Sequence, residues 1–565
     1  MRKDMKYLLT ATVLTLGLWA QPADAANFTN EVKTQQGTVV GAYDDQHQVV
    51  QWQGVPYAAP ATGANRWREA QKPLKHKAAL DCTKQAPSNI QYNGKMVLGE
   101  EGVLTLDIVR PDTHEKNLPV MVYFHGGNNQ ASNSHQMEGN KLAQEGNMVY
   151  VSVQYRLGLL GFNNLPALSD GNAKEKSGNF GFLDQAAALD WVKANIKSFG
   201  GDAKNITVSG FSAGGRDVMA MLISPVFKGK FNKALSFSGG LTVADAEASQ
   251  KAIAQRLAPL VVEDGQQNNL INAENWLLSD KGRDKKAVRN YLQNMKAERL
   301  APIMAGAVIR MSAFPHLYGD GKVLPKEGFE TKKFNSVPLM MLASADEFSS
   351  FAARDPFFKD RLDKINHDEV TTKEFQFANK YGSALYGLFN GQESAEVIYP
   401  HYKEDMYVCN FSFGHTPDVV GLEYSVRNGA LHGIFQPFLT DQQYGYTKNT
   451  TAFTQPGAKE LSKIFIASIS AFMRTGNPNT KLLGTTWQKW NPEYRPELVF
   501  DASRLNARIS CSNSRVSYAG ILAELNNDNT ISERSKEYIK HNVLNGRWFS
   551  DRLDEAYGNP SLWPK

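Results

Sequence analysis

Ser198-Phe199-Gly200-Gly201-Asp202-Ala203-Lys204-Asn205-Ile206-Thr207-Val208-Ser209-Gly210-Phe211-Ser212-Ala213-Gly214-Gly215 is the run on which the reading of this chain turns. Ile206 to Val208 is a short β-branched run that suits a buried parallel strand. The small residues 213 to 215 lead into Val218-Met219-Ala220-Met221-Leu222-Ile223, closed by Pro225, which predicts a helix. Ser212 therefore sits on a sharp strand-to-helix turn. Gly210 and Gly214 suit that turn because a Cβ would crowd it and glycine tolerates strained dihedrals. The helix start behind Ser212 leaves N–H groups unpaired and a partial positive charge where negative charge would develop. A lone Gly-x-Ser-x-Gly is common in long chains, so Ser212 becomes a nucleophile only if partners lie elsewhere.

The 565 residues are 42% hydrophobic and 21% charged, an ordinary globular balance with ample length for a large core. A net charge of +5 with no long basic run gives no argument for nucleic acid. Arg2, Lys3 and Lys6 followed by the apolar stretch Leu8–Ala20 and by Ala23-Asp24-Ala25 read as an export signal cleaved after Ala25. The apolar run is short for a membrane span, and no later stretch is longer. The mature protein is therefore expected to be exported, periplasmic or secreted, without a transmembrane anchor. The cysteines are Cys82, Cys409 and Cys511, which cannot all pair within one chain. Neither C-x-x-C nor H-E-x-x-H occurs, so no metal and no cofactor is expected.

Along the chain, Gly37–Gly41 and Val49–Gly54 read as paired strands. Val103–Val109, Leu118–Phe124, Met148–Gln154, Lys233–Gly239 and Val337–Ala343 read as further strands, and Leu189, Val192, Ile196 and Phe199 fall at helical spacing. Residues 240 to 335 are mixed and mostly helical, read as an insertion over the site. Helices are also expected around Lys373–Tyr386 and at Leu461–Phe472, the latter stopped by Gly476-Asn477-Pro478. Strands alternating with helices predict an α/β fold with a mostly parallel central sheet and helices on both faces. With no repeat or low-complexity linker, residues 26 to 565 are expected to form a single domain.

Acyl transfer on a serine needs a base, a group that orients it, and donors for the oxyanion. In an α/β-hydrolase these follow the order Ser, Asp/Glu, His. The strand ending in His125-Gly126-Gly127 resembles the HGGG donor loop, with Asn128 in the third glycine position. Ala213, just after the serine, would add another N–H. Asp346-Glu347 follows the strand at 337 to 343, with Glu347 the sharper candidate acid and Asp346 the local alternative. Among eleven histidines, His432 in Leu431-His432-Gly433 has the best context, with His401 and His415 positionally possible.

Together these pieces resemble the type-B carboxylesterases, the family that includes the cholinesterases. Gln53–Ala58 resembles GIPYA, Tyr155–Phe162 resembles NYRLGxxGF, Gly178–Gln185 resembles GNxGLxDQ, and Phe199–Gly215 resembles FGGDxxxxTxxGxSAGG. Arg474–Asn479 resembles the late TGNPN segment. The resemblance implies Ser212 as nucleophile, Glu347 as acid, His432 as base, and Gly127, Asn128 and Ala213 as the oxyanion hole, with Ser238 near the triad. Phe211 stands where the family usually has Glu. Val103 stands where it has a cysteine, which leaves Cys82 without its usual partner and Cys409–Cys511 as the disulfide candidate. The cholinesterase Trp before that cysteine has no counterpart, since no Trp lies between Trp67 and Trp191. With Phe211, this disfavours choline esters.

The expected protein is an exported serine esterase acting on a small-molecule or polymeric ester with neutral, apolar acyl or alcohol groups. A polyester- or polyurethane-hydrolysing enzyme is the variant of that reading. A non-catalytic cholinesterase-like binding protein is the rival, favoured only by Asn128.

Overall fold

Val120, Val122 and Phe124 belong to one buried apolar cluster, and Met121 and Tyr123, the alternate residues of the same strand, to another. A strand with both faces covered is the signature of a sheet sandwiched between helices. The computed structural model describes residues 28–553 except 308, 311, 312, 449, 550 and 551. The leader expected at 1–25 lies outside the described residues.

The large sheet has eleven strands. In chain order they are β1 (Ala42–Asp44), β2 (Val49–Pro56), β3 (Thr105–Pro111), β4 (Leu118–Phe124), β5 (Val149–Val153) and β6 (Gly201–Phe211). They continue as β7 (Lys233–Phe237), β8 (Leu339–Ser344), β9 (Met406–Phe411), β10 (Pro496–Ala502) and β11 (Ala507–Asn513). Their spatial order is β11-β10-β9-β8-β7-β6-β4-β5-β3-β2-β1. The run from β5 to β10 is parallel, and antiparallel strands complete both edges. One face carries α1 (Phe180–Asn195) and α2 (Ala213–Met221), which bury Leu189, Val192, Val218 and Met219 in the cluster of Val120. Residues 240 to 335 supply α3 (Ala246–Glu263), α4 (Leu270–Leu277) and α5 (Gly282–Asn294), as expected of the insertion. The long α6 (Glu369–Leu388) follows. On the other face α7 (Pro456–Thr475) buries Phe465, Ile469 and Phe472. It ends at left-handed Gly476, whose N–H caps the Phe472 carbonyl at 2.7 Å. Among the described residues no helix is long and apolar enough to cross a membrane.

Two expectations are corrected. Thr38–Val40 does not pair with Val49–Pro56. It lies in a separate small sheet, between Glu31–Lys33 and Leu80–Asp81. Gly41 makes the switch: a Cβ there would fall 2.3 Å from the Gln51 carbonyl oxygen. The Cys409–Cys511 bridge is also overturned, for both are free thiols, as is Cys82. Cys409 on β9 is opposite Leu498 on β10, and Leu498 is opposite Cys511 on β11. Two strand spacings, about 9 to 10 Å, therefore separate the two cysteines, beyond the reach of a disulfide.

Candidate active site

The carboxyl ends of β4, β6, β7 and β8 lie side by side, because Gly210 is in register with Phe124 and Phe211 with Phe237, which faces Leu342. In open α/β sheets this edge is where ligands bind. At the end of β6, Ser212 has φ 58° and ψ −116°, an arrangement that costs of order 1–3 kcal/mol and persists only when the surroundings enforce it. They do so closely. A Cβ on Gly214 would lie 2.0 Å from the Phe124 carbonyl oxygen, and one on Gly210 would lie 2.2 Å from that of Gly214. The Ser212 N–H donates to the Phe237 carbonyl at 2.8 Å, and its own carbonyl accepts from Arg216 N–H at 2.9 Å, opening α2. Ser212 keeps 5% of its surface exposed.

Three residues past β8, fully buried Glu347 accepts the Ser344 N–H on Oε1 at 2.8 Å and pairs through Oε2 with His432 Nδ1. A carboxylate on Nδ1 fixes the proton there and leaves Nε2 as the acceptor. His432 Nε2 has no hydrogen-bond partner among the described residues. Rings wall the imidazole in, with centroids at 4.6 Å for Phe211, 4.9 Å for Phe351 and 5.8 Å for Tyr386. Phe211, the residue before the serine, thus packs directly on the His432 ring.

Asp346, the alternative acid, has a different task. Its Oδ2 accepts from Ala430 N–H and faces His415 Nδ1, both at 2.8 Å, and its N–H donates to the Ala430 carbonyl at 2.9 Å. It pins the segment that presents His432. That contact also engages His415, raising its pKa, while His401 is exposed at the surface.

The loop after β4 touches the serine. A Cβ on Gly126 would lie 2.9 Å from that of Ser212. Gly127, Asn128 and Asn129 all have positive φ (92°, 57° and 55°), which glycine and asparagine tolerate best. The amides of Gly127, Asn128 and Ala213 donate to no other described residue. Beneath the loop, the Tyr155 hydroxyl shares its one hydrogen between the His125 carbonyl at 2.7 Å and Asn129 Oδ1 at 2.9 Å. Asn129 Nδ2 and Gln185 Nε2 donate to the two oxygens of buried Asp217 at 2.9 and 2.6 Å. Burial pulls the His125 imidazole down to about 4, so it is neutral, stacked 4.5 Å from Tyr155. Ser238 follows β7 with φ 53°, buried, its Oγ without a partner among the described residues.

Sequence reasoning missed three contributors. Arg216 and Asp217 are fully buried charges one turn into α2; their signal was an Arg-Asp pair interrupting an apolar run straight after the serine. The third is the C-terminal segment, where Trp548 lies 4.7 Å from the Arg216 guanidinium and Phe549 lies 4.9 Å from Tyr386.

A strained serine at a strand-to-helix turn, a carboxylate-bound imidazole at the same sheet edge and a loop of amides unpaired among the described residues define an α/β-hydrolase. A model described as the carboxylesterase family matches residues 29–410, and the chain belongs to that family as a carboxylic-ester hydrolase. It is similar to the para-nitrobenzyl esterase of Bacillus subtilis (strain 168), 28% identical over 499 residues that cover 83% of this chain and 94% of that protein. It is also similar to the liver carboxylesterase of Sus scrofa, 31% identical over 401 residues covering 66% and 68%. The solved structure of a PNB esterase superposes with a TM-score of 0.63 at 26% identity, covering 86% of this chain and 98% of that one.

Proposed function

We propose that the chain hydrolyses esters through an acyl-enzyme on Ser212. The observation that carries this is the Glu347–His432 pair, with Nε2 otherwise unbonded, on the same sheet edge as the strained serine. In this reading His432 takes the Ser212 proton as Oγ attacks the carbonyl, then gives it to the departing alcohol. Glu347 holds the tautomer and stabilises the imidazolium. The amides of Gly127, Asn128 and Ala213 receive the oxyanion, since donors left unpaired in the resting fold are free for charge that develops later. Water then attacks the acyl-enzyme, with His432 acting as base again.

The alcohol leaves on the His432 side, and Phe211, Phe351 and Tyr386 pack there. Apolar alcohol groups therefore suit the site. The leader-like N-terminus supports an exported enzyme. A fluorophosphonate that adds its mass to Ser212 in the wild type, and nowhere in Ser212→Ala, tests the mechanism. Labelling at another residue, or a Ser212→Ala protein hydrolysing p-nitrophenyl butyrate within tenfold of wild type, would overturn it.

A further inference from the structure

Arg216 holds a guanidinium that the proposed ester chemistry leaves without a task. It lies one turn past Ser212 on α2 and is fully buried. One Nη2 hydrogen goes to Asn128 Oδ1 at 2.7 Å. Nε and Nη1 have no partner among the described residues. Trp548 covers a face of the group at 4.7 Å. The neighbouring carboxylate, Asp217, is engaged by Asn129 and Gln185 instead. The other titratable groups that sense this charge, Tyr386, Tyr155 and His316, are all neutral in the buried state. Buried charges are ordinarily paired, because leaving one unpaired costs several kcal/mol. Here a fully buried cation has, among the described residues, a neutral amide as its one hydrogen-bond partner.

The position of that amide says which part of a substrate would meet the cation. Asn128 belongs to the loop assigned to the carbonyl oxygen, whereas the alcohol departs towards His432 and its rings. We propose that Arg216 is a specificity residue that binds a free carboxylate on the acyl half of the ester, so that the preferred substrates are monoesters of dicarboxylic or polycarboxylic acids. The remaining Nη2 hydrogen, together with Nη1 or Nε, offers the two-point fork that matches a carboxylate. The reaction is ordinary hydrolysis: monoester plus water gives the diacid and the alcohol. This inference rests on the Ser212 mechanism and replaces a neutral acyl group with a charged one.

The test compares kcat/KM for ethyl hydrogen succinate, glutarate and adipate with ethyl butanoate, pentanoate and hexanoate, following ethanol release. A charge-assisted hydrogen bond predicts a preference of about 10- to 100-fold for the charged ester at the chain length that reaches Arg216. Arg216→Met should bring that ratio to about one or below, whatever it does to either rate, and Arg216→Lys should retain part of it. No preference at any length in the wild type, or a preference that survives Arg216→Met, overturns the proposal. Should Arg216→Met not fold, inhibition of wild-type hydrolysis of ethyl pentanoate decides: glutarate should bind at least tenfold tighter than glutaramide, and equal inhibition overturns the assignment. Carboxylates on the alcohol half, as in 4-acetoxybutanoate against butyl acetate, should give no preference, and an equal one would overturn the acyl-side placement. Absence of hydrolysis across both ester series would instead strike the Ser212 mechanism.

Discussion

Replacing Glu347 by Gln separates the two adjacent acids by role. Glu347 is the sole carboxylate bonded to His432 among the described residues. The ring it serves is 7% exposed and enclosed by Phe211, Phe351 and Tyr386. When His432 becomes cationic, the carboxylate attracts it across one hydrogen bond, about 3 Å. At an effective dielectric of about 20 that attraction is about 5 kcal/mol. Gln has the same shape, but with its oxygen kept on the Ser344 N–H its NH2 faces His432 Nδ1, so it removes the charge and turns the imidazole to the tautomer with the proton on Nε2. The expected loss in kcat for p-nitrophenyl butyrate lies between about a thousand- and ten-thousand-fold, with the melting temperature nearly unchanged. Asp346→Asn is the counterpart. It weakens the contacts to Ala430 and His415, so about 1–3 kcal/mol of stability should go with less than tenfold loss of kcat. A Glu347→Gln enzyme that keeps more than a tenth of wild-type turnover, or an exchange of behaviours between the two variants, would overturn this division of roles.

Burial pushes the Asp217 carboxyl up to about 6, against an ordinary value near 3.9. The folded chain therefore takes up this proton before the unfolded one, and the ionised group costs the fold about 3 kcal/mol above pH 6, a cost relieved as pH falls towards 4. Urea unfolding at pH 4.5 and 7 should show Asp217→Asn missing that relief, and equal pH differences in both proteins would argue against it. Burial also pushes the Cys82 thiol up to about 12 and the Cys409 thiol well above its ordinary value. Alkylation of native protein should thus be fast only at half-exposed Cys511, while denatured, unreduced protein should yield all three thiols. A mass spectrum with two of them protected would restore a bridge. Gly214→Ala forces a Cβ to within 2.0 Å of the Phe124 carbonyl oxygen. It should cost at least about 1–3 kcal/mol together with most of the activity, and a soluble, fully active variant would show that the turn is not enforced as described.

The sequence was most legible where both faces of a strand are buried. Leu118–Phe124 reads as continuous apolar residues because helices cover it from two sides, and its boundaries fall where the pattern ends. The edge of the sheet was not legible. β10 alternates buried and half-buried residues through Glu497 and Asp501, and β11 carries Arg508, Ser510 and Ser512 with little buried surface, so neither stands out from loop composition. The cysteines failed for a related reason: the family pattern took away the partner of Cys82 and left Cys409 and Cys511 as the remaining pair, whereas strand order, which sequence does not reveal, placed a whole strand between them. At the site, motif spacing singled out Ser212, Glu347 and His432, and the structure pairs the last two and sets Ser212 at the same sheet edge. It could not show that Phe211 packs at a tilt on His432, that Asp346 pins the segment bearing His432, or that Arg216 reaches back to Asn128. Those contacts depend on side chains from remote segments meeting at one sheet edge.

The segment bearing Trp548 also sets an order in biosynthesis. Ser212, Glu347, His432 and the loop at 126–129 have all been translated once residue 432 is added, yet the surface over Arg216 and Tyr386 arrives only with Trp548 and Phe549. Arg547, wholly enclosed and joined to Asp355 at 2.6 Å, anchors that surface. A chain cut before Arg547 would thus lack the rings that cover Arg216 and one side of Tyr386. On the Arg216 proposal, selectivity for the acyl group follows the docking of Trp548 and Phe549 onto Arg216 and Tyr386.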